Sequence, residues 1–339
     1  MKISVVIPCR NEADYIEECI RAIYSNVLPK EGTIQVFVVD GMSTDRTREV
    51  VLRLCTHYPS LRLLDNTKKL TPFAFNIGIL ASECDFVQIV GARHILSKNY
   101  FSNCLEKLVS DTSIWCVGGK VNNEYVNADG RVIATAMGTT FGMGIGNFRT
   151  LEKSGFTDTV TSPMYPAWVF NKIGYFDEEL VRNQDDDFNY RVTNAGGKIY
   201  FDAEISLKYY VRGNFKNLWK QFFQYGYWKV YVNKKHKAIT TFRQLIPPLF
   251  VVYLILLMFT PMVSFVFFVV AVIPLVIYFL LAFYYSFKMV KEDSEISFLK
   301  IFQTFPVLHL SYGLGYLRGV VEFLVLNKKP AAKQKELSR

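Results

Sequence analysis

Ser4-Val5-Val6-Ile7-Pro8-Cys9-Arg10-Asn11-Glu12 opens the chain, and Val38-Val39-Asp40-Gly41-Met42-Ser43-Thr44-Asp45-Arg46-Thr47 repeats the same texture further on. Each is a short apolar, β-branched run that stops abruptly in polar turn residues, which reads as a buried strand and the loop it feeds. The segments that follow, Tyr15–Ile23 and Arg46–Leu54, carry apolar residues at three- and four-residue spacing, the pattern of a helix with one face on a core. Phe86–Val90 is a third strand-like run. Alternation of this kind through residues 1–115 predicts an α/β domain with a mixed, mostly parallel sheet flanked by helices. Ligands of such sheets bind in a crevice at the carboxyl ends of the strands. The residues just past each strand are therefore the ones to weigh. Asp40 stands at a strand end, where a carboxylate can accept from ribose hydroxyls or a base N–H, and Gly41 permits the turn that exposes it. Asp45 reads as a cap for the helix that starts near Arg46.

The whole chain has 339 residues, of which 50% are hydrophobic, with 28 Phe and 20 Tyr; this excludes a disordered protein. The formal charge of +9 leaves two anionic partners, nucleic acid or a membrane surface. Nine of the 39 basic residues (Lys208, Arg212, Lys216, Lys220, Lys229, Lys234, Lys235, Lys237 and Arg243) fall between Leu207 and Arg243, where there is no acidic residue. Elsewhere thirty basic residues balance thirty acidic ones, so the excess is a local collar. It adjoins apolar segments and no nucleic-acid recognition module is visible, so a nucleic-acid partner is not expected. The six cysteines lie in the first third without a C-x-x-C pair and read as buried, reduced thiols.

Gln244–Phe287 is 44 residues without Asp, Glu, Lys or Arg, twice the roughly 20 residues that one membrane-spanning helix needs. Pro261 marks a turn, which predicts a hairpin with spans near 244–261 and 264–287; Pro247, Pro248 and Pro274 start or kink the helices. Basic residues on both flanks, among them Arg243, Lys288 and Lys291, place both ends in the cytoplasm. A third apolar segment, 296–326, carries Lys300, His309, Arg318 and Glu322 and reads as an in-plane or re-entrant amphipathic element. The basic tail 327–339 should then be cytosolic. The expected organisation is a cytosolic domain over 1–235 and a membrane region over 236–326, making a multi-pass membrane protein whose catalytic domain faces the cytoplasm. The uncharged, glycine-rich stretch 134–146 fits no phosphate-loop pattern and reads as lying on the membrane surface or lining the acceptor site.

The two opening segments resemble the start of family 2 glycosyltransferases of the GT-A fold. Thr71-Pro72-Phe73-Ala74-Phe75-Asn76-Ile77-Gly78 resembles that family's segment before its metal-site strand. Arg182-Asn183-Gln184-Asp185-Asp186-Asp187-Phe188-Asn189-Tyr190-Arg191 is similar to its acceptor-side acidic motif, and Gln221-Phe222-Phe223-Gln224-Tyr225-Gly226-Tyr227-Trp228-Lys229 to the Gln…Trp segment of its succinoglycan-type branch. The resemblance covers roughly residues 2–235. It implies an inverting transferase that moves a sugar from a nucleotide-diphospho-sugar donor to a lipid-linked saccharide or growing polysaccharide, in contact with membrane lipids. It further implies nucleotide contacts from Pro8, Arg10, Glu12, Asp40 and Asn76. The acceptor side would hold Asp158, Trp168, Asp186, Gln221, Gln224 and Trp228, with Asp185 as catalytic base. A base must reach the attacking hydroxyl, and crowded carboxylates raise one another's pKa; the alternative for the triple Asp is the start of a helix. Gln221–Lys229 reads either as closing on a diphosphate or as an interfacial helix anchored by its aromatic residues.

One departure stands out. Where the family places an Asp-x-Asp to hold Mg²⁺ or Mn²⁺, this chain has Gly91-Ala92-Arg93-His94. A diphosphate leaving group still has to be neutralised. Either a metal is held by a reduced set that includes His94, or Arg93 supplies the charge, or the chain is a catalytically silent membrane scaffold.

Overall fold

The computed structural model describes residues 1–144, 148–211, 213–330 and 334; of the segments singled out above, Ile145, Gly146, Arg212, Lys333, Lys335 and Arg339 lie outside the described residues. Two compact units emerge: Met1–Asn123 with Leu151–Tyr210, and Glu124–Thr150 with Val211–Arg339. The helix Phe215–His236, which the sequence reading groups with the first domain, falls in the second unit.

In the first unit the chain runs β1 (Lys2–Cys9), α1 (Ile16–Tyr24), β2 (Thr33–Asp40), α2 (Thr47–Cys55), β3 (Leu61–Asp65), α3 (Thr71–Leu80), β4 (Phe86–Ile89), β5 (His94–Leu96), α4 (Tyr100–Ser110) and β6 (Ile114–Tyr125). After an excursion through α5 (Ala128–Met137) and α6 (Thr140–Met143) of the other unit come β7 (Gly155–Thr157), β8 (Thr161–Pro166), α7 (Trp168–Ile173), α8 (Gln184–Asn194) and β9 (Lys198–Val211). Among the described residues nine strands make one sheet, ordered β3-β2-β1-β4-β8-β6-β9-β5, with β7 on β9. The pairs β3/β2, β2/β1 and β1/β4 are parallel, while β4/β8, β6/β8, β5/β9 and β7/β9 are antiparallel. Ile3, Val5, Val6 and Ile7 of β1 are essentially inaccessible to solvent, as a strand covered on both faces must be. Gly78 lets α3 approach β1, since a Cβ there would stand 2.4 Å from Val6 Cγ1.

In the order β3-β2-β1-β4 the chain steps outward from β1 and then returns on β1's other side. The reversal between β1 and β4 is a topological switch point, and the loops after their carboxyl ends, 9–12 and 91–94, flank it.

The second unit continues through α9 (Phe215–His236), α10 (Ile246–Leu257), α11 (Phe265–Glu292) and α12 (Phe298–Gly319), which runs on as a π turn over Val320–Val325. The apolar stretches Phe242–Met262 and Phe265–Glu292 are each long and apolar enough to cross a membrane. They differ from core helices in burying few of their residues. Pro247 and Pro248 lie in the first turn of α10, Pro261 in the connecting turn and Pro274 inside α11. Beside Pro274, the Tyr253 hydroxyl donates to the Ala271 carbonyl (2.8 Å) and accepts from Leu275 N–H (3.2 Å), bridging two groups that would pair with each other in a regular helix.

α12 accounts for the third apolar segment. One side is buried against α9 and α10, where glycines carry the closest approaches. A Cβ on Gly315 would lie 2.0 Å from the Phe223 carbonyl, and one on Gly226 2.0 Å from that of Tyr312. Its polar residues are satisfied within the unit: Lys300 by Asp129 (2.7 Å), His309 by Tyr278 Oη and the Phe141 carbonyl (both 2.9 Å), and Glu322 by Tyr227 Oη and Arg318. Gly315→Val must push α9 and α12 apart, which overpacking of this kind penalises by about 1–3 kcal/mol. We expect a clear fall in the thermal midpoint of the detergent-solubilised protein, with Leu314→Ala, at an exposed neighbouring position, close to wild type.

Candidate active site at the switch point

The β1 and β2 loops hold each other. Asn11 adopts a left-handed φ of 54°, which Asn tolerates better than most residues, and its Oδ1 accepts from Thr44 N (2.8 Å). In return, Asn11 N donates to Ser43 Oγ (2.8 Å) and Glu12 N to Thr47 Oγ1 (2.8 Å). Asp40 is wholly buried; its carboxylate accepts from Ser43 N (3.0 Å), the Ser43 hydroxyl and Arg48 Nη1 (2.9 Å). Arg48 also reaches Asp65 (2.7 Å). Asp40 thus orders the loop instead of facing the crevice. Asp45 accepts from Thr47 N (3.0 Å) and Ala13 N (3.3 Å). Burial pulls its pKa up, but the Thr47 and Ala13 hydrogen bonds outweigh this and keep it low. Cys9 has the opposite environment: burial, then the charges of Glu12 and Asp40, push its thiol up, so it stays protonated at neutral pH.

Across the switch point, Arg93 Nε donates to Glu12 Oε2 at 2.6 Å, with both side chains largely buried. The guanidinium lies 4.3 Å over the Tyr15 ring, which packs on Tyr210 (5.2 Å). His94 Nδ1 bonds Ser162 Oγ (2.7 Å) and faces Gly91 N (3.3 Å). Ser162 itself is buried with φ 41°.

From Ser162 the contacts lead to α8. Three residues earlier in the chain, Thr159 Oγ1 accepts from Asn189 Nδ2 (3.2 Å), and Asn189 stands one turn after Asp185 on the same helix face. Asp158 adjoins this contact. The three consecutive aspartates then diverge. Asp185 is exposed, Asp186 accepts from Asn183 Nδ2 (2.9 Å), and Asp187 is buried against Arg191 (2.8 Å). Arg191 in turn donates to the carbonyls of Ile173 (2.7 Å) and Tyr175 (2.9 Å), so Asp187 fastens α8 to the turn before it. Among the described residues, Asn183 Oδ1 and Gln184 Oε1 are buried oxygens without a hydrogen-bond partner, flanking Asp185.

The other sequence-proposed residues have the following partners. Asn76 is buried, with Nδ2 donating to the Phe176 carbonyl and Glu178 Oε1 (both 2.9 Å) and Oδ1 accepting from Phe176 N (3.0 Å); its amide is fully engaged in holding 176–178. Trp168 follows Ala167, whose N–H donates to the Asp85 carbonyl (2.8 Å) at the amino end of β4, the edge opposite the crevice. Gln221, Gln224 and Trp228 belong to α9 of the second unit. Gln221 bonds Tyr225 Oη (2.7 Å), while the buried Gln224 and Trp228 both donate to the Gln334 carbonyl (3.4 and 3.1 Å). Pro8 closes β1 beside Val39, and the Arg10 side chain packs where Gly41 lacks one. Sequence reasoning quoted Asn189 only within the acidic motif and did not single out Tyr15 or Ser162. Only the position of Tyr15 shortly after the strand-end loop could have suggested it.

The residues at 91–94 do not fit a divalent metal. Gly91 and Ala92 bring no donor, Arg93 brings a cation, and the His94 Nδ1 is engaged. No group of three or more His, Cys, Asp or Glu side chains among the described residues is placed to hold an ion.

A mixed sheet with flanking helices, parallel through its first four strands and antiparallel beyond them, with polar loops at the switch point, is a GT-A-like glycosyltransferase architecture. The chain belongs to glycosyl transferase family 2, whose family model matches residues 4–174. It is 28% identical to the succinoglycan biosynthesis protein ExoA of Rhizobium meliloti (strain 1021), over 72% of this chain and 73% of that protein. It is also 28% identical, over 66% of this chain and 71% of the relative, to a dolichyl N-acetyl-alpha-D-glucosaminyl phosphate 3-beta-D-2,3-diacetamido-2,3-dideoxy-beta-D-glucuronosyltransferase of Methanococcus voltae. In fold it is similar to the mannosyltransferase PcManGT from Pyrobaculum calidifontis, solved with GDP-Man and Mn²⁺ (TM-score 0.62, 14% identity, 94% of this chain and 86% of that one).

Asn76 separates structural from binding roles. Asn76→Ala removes three buried hydrogen bonds, about 2–4 kcal/mol in all. We expect a lower thermal midpoint and unchanged nucleotide affinity per folded molecule; a selective loss of affinity would return Asn76 to the binding site.

Proposed function

We propose that this glycosyltransferase is membrane-anchored and inverting, and that it moves a sugar from a nucleotide-diphosphate donor at the switch-point crevice to a lipid-linked or growing polysaccharide acceptor. The observation that carries the reading is the hydrogen-bonded path from the 91–94 loop through Ser162 and the Thr159–Asn189 contact to α8. It supports a place for the exposed Asp185, one turn before Asn189 on α8, on the same side of the sheet as the carboxyl end of β4. The names of the relatives support a saccharide acceptor carried on lipid or polymer. Two exposed apolar helices support anchoring, and the basic flanks of the hairpin support a catalytic unit facing the cytoplasm.

In this mechanism the acceptor hydroxyl gives its proton to an Asp185 carboxylate oxygen. The acceptor oxygen forms its bond to the anomeric carbon as the bond to the donor's diphosphate breaks on the opposite face, so the configuration inverts. Asp186 and Asp187 orient the helix turn.

The test incubates membranes bearing the full chain with a panel of radiolabelled nucleotide sugars and follows label into lipid and polymer fractions. Asp185→Asn preserves shape but cannot take the proton, and we expect transfer to fall 10²–10⁴-fold with nucleotide binding retained. Nucleotide binding without transfer from any donor, and with no difference in the variant, would favour a catalytically silent scaffold instead.

A further inference from the structure

The place where family 2 enzymes carry metal-binding carboxylates is here built around a cation. Arg93 is held on one edge by Glu12 and on one face by Tyr15. Tyr15 is backed by Tyr210, whose hydroxyl donates to Glu18 (3.3 Å). Among the described residues no hydrogen bond engages Nη1 or Nη2, so the second edge of the fork remains available, with the side chain 18% exposed. A side chain at position 91 is crowded by the His94 ring. A Cβ there would stand 3.0 Å from the His94 ring, and that ring is itself tied to Ser162.

Resting on the donor reading above, we propose that Arg93 is the group that neutralises the donor diphosphate, and that this chain binds its nucleoside diphosphate without a divalent metal. The electrostatics of the two arrangements correspond. Two carboxylates with a divalent cation sum to zero and present their positive end to the phosphates; Glu12 with Arg93 also sums to zero and presents a guanidinium. The planar fork suits this role, because it offers two parallel N–H groups to phosphate oxygens and is always charged. Glu12 and Tyr15 act as positioning residues: they fix the guanidinium before the ligand arrives, so little order has to be imposed on binding. The charge that develops on the departing diphosphate would be met by the same fork.

The experiment titrates the full chain, in detergent or nanodiscs, with UDP, GDP, ADP, CDP and dTDP, each in EDTA and in Mn²⁺. We expect at least one to bind with the same affinity in both, within about twofold. Arg93→Gln should weaken that binding ten- to hundredfold, and Arg93→Lys, which keeps the charge but loses the fork, should recover part of it. Unfolding curves of the unliganded variants control for folding, and Arg93→Lys keeps the test usable if Arg93→Gln does not fold. Binding that appears only with Mn²⁺, or affinity unchanged in Arg93→Gln, overturns the proposal while leaving the transferase reading intact. Failure of every nucleoside diphosphate in both conditions overturns the donor reading itself.

Discussion

A strand buried on both faces and paired in parallel on both edges allows its neighbours little freedom. β1 is that strand: its core residues see no solvent, and β2 and β4 run beside it in the same direction. Parallel neighbours require a crossover, so every loop that leaves β1, β2 and β4 emerges on one edge. The polar residues that end these strands therefore meet without any single one having to seek another. The reciprocal bonds between Asn11, Ser43 and Thr44, and the Glu12–Arg93 pair, are the local result. Because a reversal of strand order falls between β1 and β4, this edge also opens into a crevice.

The Asp185–Asp187 run shows how a helix sorts identical side chains. Successive residues on an α-helix point about 100° apart, so three neighbouring carboxylates face three surroundings. One meets solvent, one meets the residue that starts the helix, and one meets Arg191 and is buried. The helix-start reading of the run therefore holds for Asp186 and Asp187, and the base reading of Asp185 belongs to the proposed mechanism. A buried carboxylate so tightly paired serves placement, while the one two residues earlier is exposed.

Much of the first unit was legible from the chain. Apolar runs ending in turn residues located β1, β2 and β4, and the spacing of Tyr15–Ile23 and Arg46–Leu54 located α1 and α2. The prolines at 247, 248, 261 and 274 took the positions foreseen for them. Legibility failed where a side chain's role depends on distant partners. Asn76 reads as a polar group near a site, but its partners lie a hundred residues away at Phe176 and Glu178. Trp168 starts the helix that follows β8, and the antiparallel direction of that strand, not visible in its own sequence, carries it to the far edge. In the third apolar segment, charged residues interrupted the hydropathy. Their partners (Asp129, Tyr278, Tyr227) come from other helices, so the segment's burial could not be read locally. The collar of lysines was legible as composition only: Lys229 turns inward to Thr241, and Lys234 to the Phe323 carbonyl.

The left-handed serine at 162 carries an evolutionary consequence. A non-glycine residue in that conformation costs the fold roughly 1–2 kcal/mol, and glycine would take the same turn without the penalty. Glycine, however, has no hydroxyl to hold the His94 ring against Gly91. Selection for a stable chain and selection for an ordered crevice thus pull this position in opposite directions. Lineages that lose the transferase reaction would be freed of one of these pressures, and drift from serine to glycine here would be an early mark of that loss.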